Sequence, residues 1–110
     1  MELDFAVKRL SALAQPGRLD VFRLLVRSGR EGLAAGDIAR AAQVPANTLS
    51  AQMTVLANAG LVKSRRDGRS VIYTADYDGM SDLLLYLMED CCQGRPEICA
   101  SAAQSALACC

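Results

Sequence analysis

The chain has 110 residues, enough for one domain and too few for two. With 52% hydrophobic and 22% charged residues it reads as globular, and no apolar run approaches the roughly 18–20 residues that cross a bilayer. The formal net charge is zero and histidine is absent, which excludes a Ser-His-Asp triad, a Cys-His dyad and a mixed Cys/His zinc site.

Leu3, Ala6, Val7, Leu10, Leu13 and Ala14 recur at helical spacing and predict an amphipathic helix over residues 2–14. The same stretch carries Glu2, Asp4, Lys8 and Arg9, which is unlike a secretory signal, so a cytoplasmic protein is expected. Pro16 ends this helix and opens a second one that runs to about Ser28, with Leu19, Phe22, Leu25 and Val26 inward and Arg18, Arg23 and Arg27 outward. Gly29 and Gly32 bracket a polar loop. A short third helix covers about Gly36 to Ala42, and its lead-in Leu33-Ala34-Ala35-Gly36 lacks a good N-cap.

Gln43-Val44-Pro45 makes a turn into a fourth helix, about Ala46 to Ala59, with Leu49, Met53 and Leu56 inward and Gly60 as its C′ residue. The period then changes. Residues 61–66 read as a strand, Asp67-Gly68 as a hairpin turn, and residues 69–74 as the return strand. Asp78 is placed to cap a last helix, whose face is Met80, Leu83, Leu84, Leu87 and Met88. Gly94 and Pro96 should stop it near Cys92.

This order predicts a mainly α fold with a small β-hairpin: a winged helix-turn-helix over residues 1–93 with terminal dimerisation helices, and a cysteine-containing tail over 94–110. The apolar stripe of the last helix, added to that of the first, exceeds what so small a domain can cover. A two-fold homodimer is therefore expected, binding double-stranded operator DNA with an inverted repeat and no membrane.

Charge follows the same division. Residues 1–73 hold 11 of the 12 basic residues and six of the 12 acidic ones, a balance of +5, and residues 74–110 carry −5. In the fourth helix the outward positions Asn47, Thr48, Ser50, Ala51 and Gln52 are uncharged. Asn and Gln suit adenine edges in the major groove, and Ala or Thr methyls suit the thymine methyl. The hairpin adds Lys63, Arg65, Arg66 and Arg69 against Asp67, a balance of +3 within residues 61–71, suited to phosphates or the minor groove. Charge on an exposed edge also guards short sheets against pairing, but four cations exceed that need.

Residues 10–25, from Leu10-Ser11-Ala12-Leu13 through Gln15-Pro16-Gly17-Arg18-Leu19 to Leu24-Leu25, resemble the opening of the ArsR/SmtB metalloregulators. Ala57-Asn58-Ala59-Gly60-Leu61-Val62 and the stretch from Arg65 to Tyr73 resemble their passage from helix to wing. The resemblance covers about residues 5–90. It implies a dimeric repressor that dimerises through its terminal helices and leaves DNA when a metal or metalloid binds. The chain departs from that pattern in three places. It has no Cys between Leu33 and Ala39, no His for a zinc site on the last helix, and Gln52 where many relatives have a His.

All five cysteines lie in the last twenty residues, at Cys91, Cys92, Cys99, Cys109 and Cys110. Cys91 continues the apolar spacing of the last helix, Cys92 follows it, and the Gly94 and Pro96 break lets Cys99 return as a third thiol ligand. Thiolates select soft ions. As(III) and Sb(III) suit three thiolates in a pyramid, whereas zinc wants four ligands and would need Cys109 or Cys110 as well. The vicinal pair followed by a third Cys also resembles the C-terminal arsenite site of some ArsR members. The reading is thus a repressor released by As(III) or Sb(III) on Cys91, Cys92 and Cys99, with no organic cofactor. Cys109 and Cys110 stay unassigned. The alternatives are a winged-helix regulator sensing thiol oxidation or another thiophilic ion (methylarsenite, Cd, Pb, Zn) and a small thiol redox enzyme. The enzyme lacks a Cys-x-x-Cys pair and a partner base, and has no use for a basic wing.

Overall fold

Pro16 sets the first break in the chain. It has no amide hydrogen for the preceding helix, and its fixed φ suits the first turn of the next one. In the computed structural model, which describes residues 1–88, α1 spans Leu3–Leu13 and α2 spans Pro16–Ser28. The Gln15 side chain caps α2 by accepting from the Arg18 amide at 2.7 Å. A single 3-10 turn, Gly29–Glu31, follows. Then come β1 (Leu33–Ala34), α3 (Ala35–Ala42), α4 (Ala46–Asn58), β2 (Val62–Asp67), β3 (Ser70–Ala75) and α5 (Tyr77–Met88).

The expected helix-turn-helix and wing are present, with four local differences. Leu33 and Ala34 do not lead into α3 as helix. They pair with Tyr73 and Ile72 as a short edge strand, so the hairpin is part of a three-stranded antiparallel sheet ordered β1-β3-β2. The missing N-cap before α3 fits a helix entered directly from a strand. Second, Asp67 pairs with Ser70, so Gly68 and Arg69 form the tip of the wing. Third, Asp76 rather than Asp78 caps α5, its carboxylate accepting from the Gly79 amide at 3.0 Å. Fourth, Leu19 lies 41% exposed, while Val21, Phe22 and Leu25 form the buried face of α2. The expected helix end near Cys92 and the tail over 94–110 lie outside the described residues.

The core is aliphatic, as the scarcity of aromatic residues requires. Leu25, Ile38, Leu49, Met53, Leu56 and Leu61 are fully buried, drawn from α2, α3, α4 and the turn into β2. Burying such side chains stabilises by about 1.5–3 kcal/mol each, and this contact fixes α4 against the domain. Outside the core, Leu3, Val7 and Leu10 of α1 and Leu84, Leu87 and Met88 of α5 remain exposed. Of the α5 stripe, Leu83 is the one buried against the domain. No helix of the described residues is long and apolar enough to cross a membrane.

Candidate nucleic-acid interface

α4 is built to present one face. Leu49, Met53 and Leu56 point into the core at i, i+4 and i+7, which leaves Asn47, Thr48, Ser50 and Ala51 exposed on the opposite side. A helix about 10–12 Å across with its side chains fits a major groove roughly 12 Å wide. The Asn47 side-chain oxygen accepts from the Thr48 amide at 3.0 Å, which leaves its NH2 group as the donor toward solvent. The Thr54 hydroxyl donates to the Ser50 carbonyl at 2.9 Å.

Gln52 sits differently from its neighbours. It is half-buried where α4 meets the start of α2, and a Cβ on Gly17 would stand 2.6 Å from its Nε2. Its Oε1 is buried and has no hydrogen-bond partner among the described residues. Glycine at position 17 leaves room for the end of this side chain, whose amide would have to shift if a Cβ stood there. Gln15 and Arg18 line the same concavity as Asn47, Thr48, Ala51 and Gln52. The helical periodicity of α2 did not single these two out. The signal was the Pro16-Gly17 start, which aims the first turn of α2 at the exposed face of α4. Arg18 is itself engaged, donating to the Ala12 carbonyl at 2.7 Å.

The wing sorts its cations. Neighbouring residues of a strand face opposite sides, and directly paired residues share a side. Lys63 and Arg65 share one side of β2, opposite Thr74 and Ile72 of β3, and Arg66 is on the other, opposite Val71. The Arg65 guanidinium donates to the Glu31 carbonyl at 2.9 Å, tying the wing to the turn after α2. Lys63 stands 3.9 Å from Asp76, a loose surface pair. Arg66 and Arg69 make no side-chain hydrogen bond or ion pair among the described residues, and Arg69 is at the tip. The structure thus brings Asn47, Thr48, Ser50 and Ala51 onto one helix face, half-buries Gln52, anchors Lys63 and Arg65, and leaves Arg66 and Arg69 free.

The thiol set Cys91, Cys92 and Cys99 lies outside the described residues. Among the described residues no group of three His, Cys, Asp or Glu side chains could hold a metal ion.

Comparison with known proteins agrees with this architecture. The family described as Helix-turn-helix domain matches residues 13–65. A transcriptional repressor SmtB homolog from Synechocystis is 42% identical over 77 residues, which are 67% of this chain and 56% of that protein. The chain thus spans little more than half the length of that relative. A winged helix-turn-helix DNA-binding domain from Mycobacterium bovis is described as homodimeric and as a possible ArsR-family transcriptional regulator. Its solution structure is 28% identical with a TM-score of 0.66 and covers 83% of this chain and 82% of that one. Its crystal structure is 30% identical with a TM-score of 0.64, covering 78% and 90%. A protein described as a possible transcriptional regulator for arsenical resistance is 29% identical with a TM-score of 0.66, covering 74% and 82%. The helix order, the three-stranded wing and these relatives agree, and the chain belongs to the ArsR/SmtB family of winged helix-turn-helix regulators.

Proposed function

We propose that the chain is a homodimeric transcriptional repressor, not an enzyme, that holds double-stranded operator DNA through α4 and the β2–β3 wing. It releases that DNA when As(III) or Sb(III) binds Cys91, Cys92 and Cys99. The observation that carries the DNA half is the combination in one small domain of an exposed, uncharged α4 face with a wing whose Arg66 and Arg69 have no protein partner among the described residues. The helix offers hydrogen-bonding groups and methyls to base edges, and the free guanidiniums offer charge to phosphates. Exposed Leu3, Val7 and Leu10 on α1 and Leu84 and Leu87 on α5 supply the apolar face for the second copy. A two-fold dimer of reading helices matches an inverted repeat.

The effector half is supported by donor chemistry. Three thiols that follow α5 in the sequence make a soft donor set, and no histidine competes for a harder ion. Similarity to a protein described as a possible transcriptional regulator for arsenical resistance supports that reading. Each thiol must lose its proton to bind, so apparent arsenite affinity should rise with pH as thiolates form.

A gel-shift on fragments of the genome that encodes the chain tests this reading. Sequence-selective retention that weakens steeply with salt, and is lost on adding arsenite but not peroxide, is the expected result. Release by peroxide alone would point to thiol oxidation as the signal. Absence of any selective retention would remove the DNA reading.

A further inference from the structure

Arg9 lies near the middle of α1, yet its side chain spans two places far away in sequence. Its Nε donates to the Ala59 carbonyl at 2.9 Å, and its Nη1 donates to the Gly79 carbonyl at 2.8 Å. Ala59 is the C-cap residue of α4, so its carbonyl belongs to the negative end of that helix, where a cation is favoured. Gly79 is in the first turn of α5. One guanidinium therefore joins α1, the end of the base-reading helix and the start of the last helix.

The backbone around it is shaped for this contact. Gly60, directly after the cap, has φ +80, and a Cβ there would stand 2.9 Å from Arg9 Nη2. A Cβ on Gly79 would stand 2.0 Å from the Gly60 carbonyl oxygen. Two glycines thus let α4 and α5 meet backbone to backbone beneath the guanidinium. The Leu61 amide then returns to the Leu56 carbonyl, and the Asp76 amide donates to the Leu61 carbonyl at 2.8 Å, which closes the joint from the other side.

We propose that Arg9 is the positioning residue that fixes the pitch of α4 against the α1/α5 pair, and through it the presentation of the two reading helices of a dimer. The proposal rests on the DNA reading given above. α1 and α5 carry the exposed apolar faces, so any change in how two copies meet there reaches α4 through this joint. Two of the five Arg9 N–H donors are engaged by these carbonyls, and the role assigned to it is to position α4 rather than to touch a base.

The test compares Arg9→Met, which keeps the aliphatic stem, with Arg9→Lys, which keeps the charge but cannot fork to both carbonyls in the same geometry. The probes are a duplex enriched from a random library by the unaltered full chain and a duplex of unrelated sequence. Arg9→Met should remain a dimer by sedimentation and bind the unrelated duplex as before. It should lose about tenfold or more on the enriched duplex, because two hydrogen bonds from a charged donor are gone. Arg9→Lys should regain part of that loss. Amide exchange should quicken at Leu61 and Asp76 in Arg9→Met while the β2–β3 amides stay protected.

Unchanged affinity for the enriched duplex, or equal losses on both duplexes, would overturn the proposal. So would unchanged exchange at Leu61 and Asp76. If Arg9→Met does not fold, Arg9→Lys decides alone: affinity for the enriched duplex equal to that of the unaltered chain counts against the joint. Failure of the unaltered chain to enrich any duplex would instead overturn the DNA reading, and the positioning role with it.

Discussion

Arg66 and Arg69 differ from Lys63 and Arg65 in what they already touch, and that difference sets the expected effects of replacing them. Arg65 holds the Glu31 carbonyl and Lys63 stands beside Asp76, while Arg66 and Arg69 are free among the described residues. Arg66→Ala and Arg69→Ala should each lower the slope of log affinity against log salt by about 1, as one phosphate contact is lost. Arg65→Ala should lower it less. Fluorescence anisotropy of a labelled duplex across a salt series measures this. Gln52 makes a second contrast. Its Oε1 is buried without a partner among the described residues, so Gln52→Met should be neutral to stability or stabilise by up to about 1 kcal/mol in urea unfolding. Asn47→Ala, at an exposed position, should leave stability alone and relax the choice between sequences.

The helices show which parts of the structure could be read from the chain. α2, α4 and the hairpin were legible because Pro16, Gly60 and Asp67-Gly68 punctuate clear apolar periods. β1 was not, because two residues carry no period, and Leu33-Ala34 becomes a strand only by pairing with Tyr73 and Ile72 from the far side of the sequence. The α5 cap was misplaced for a related reason. Asp76 and Asp78 are equivalent on propensity, and the choice falls to Asp76 because the Leu61 carbonyl takes its amide and fixes the turn before the helix. Asp76→Ala should therefore cost about 1 kcal/mol in urea unfolding, and Asp78→Ala much less. In the candidate interface, residue types on α4 were legible from spacing alone. The half-buried Gln52 lies beside Gly17 and Arg65 is anchored on the Glu31 carbonyl, and no local pattern connects these partners.

Taken whole, the described part is a small domain with an apolar face it does not cover. Leu84, Leu85 and Leu87 are 49%, 66% and 49% exposed on α5, and Leu3 and Val7 are 64% and 53% exposed on α1. A surface of this kind marks an interface, and under the proposed function a second copy covers it. Leu87→Glu should give a monomer by analytical ultracentrifugation and weaken binding to an inverted-repeat duplex far more than to a single half-site. Cys91 and Cys92 lie three and four residues beyond the end of α5 in sequence, and the proposed switch couples an ion on them to the binding of DNA. A coupling of about 1–3 kcal/mol between two sites is typical, and complete inversion of the populations needs about 5.5 kcal/mol. The most direct measurement is arsenite titration of a labelled duplex already bound by the protein, run in parallel with the unaltered chain and with Cys91→Ser. The unaltered chain should leave the duplex as arsenite rises, and Cys91→Ser should bind the duplex equally well and stay on it. Release of both proteins at the same arsenite concentration would contradict a three-thiolate switch, because such a site cannot lose a ligand and keep its affinity.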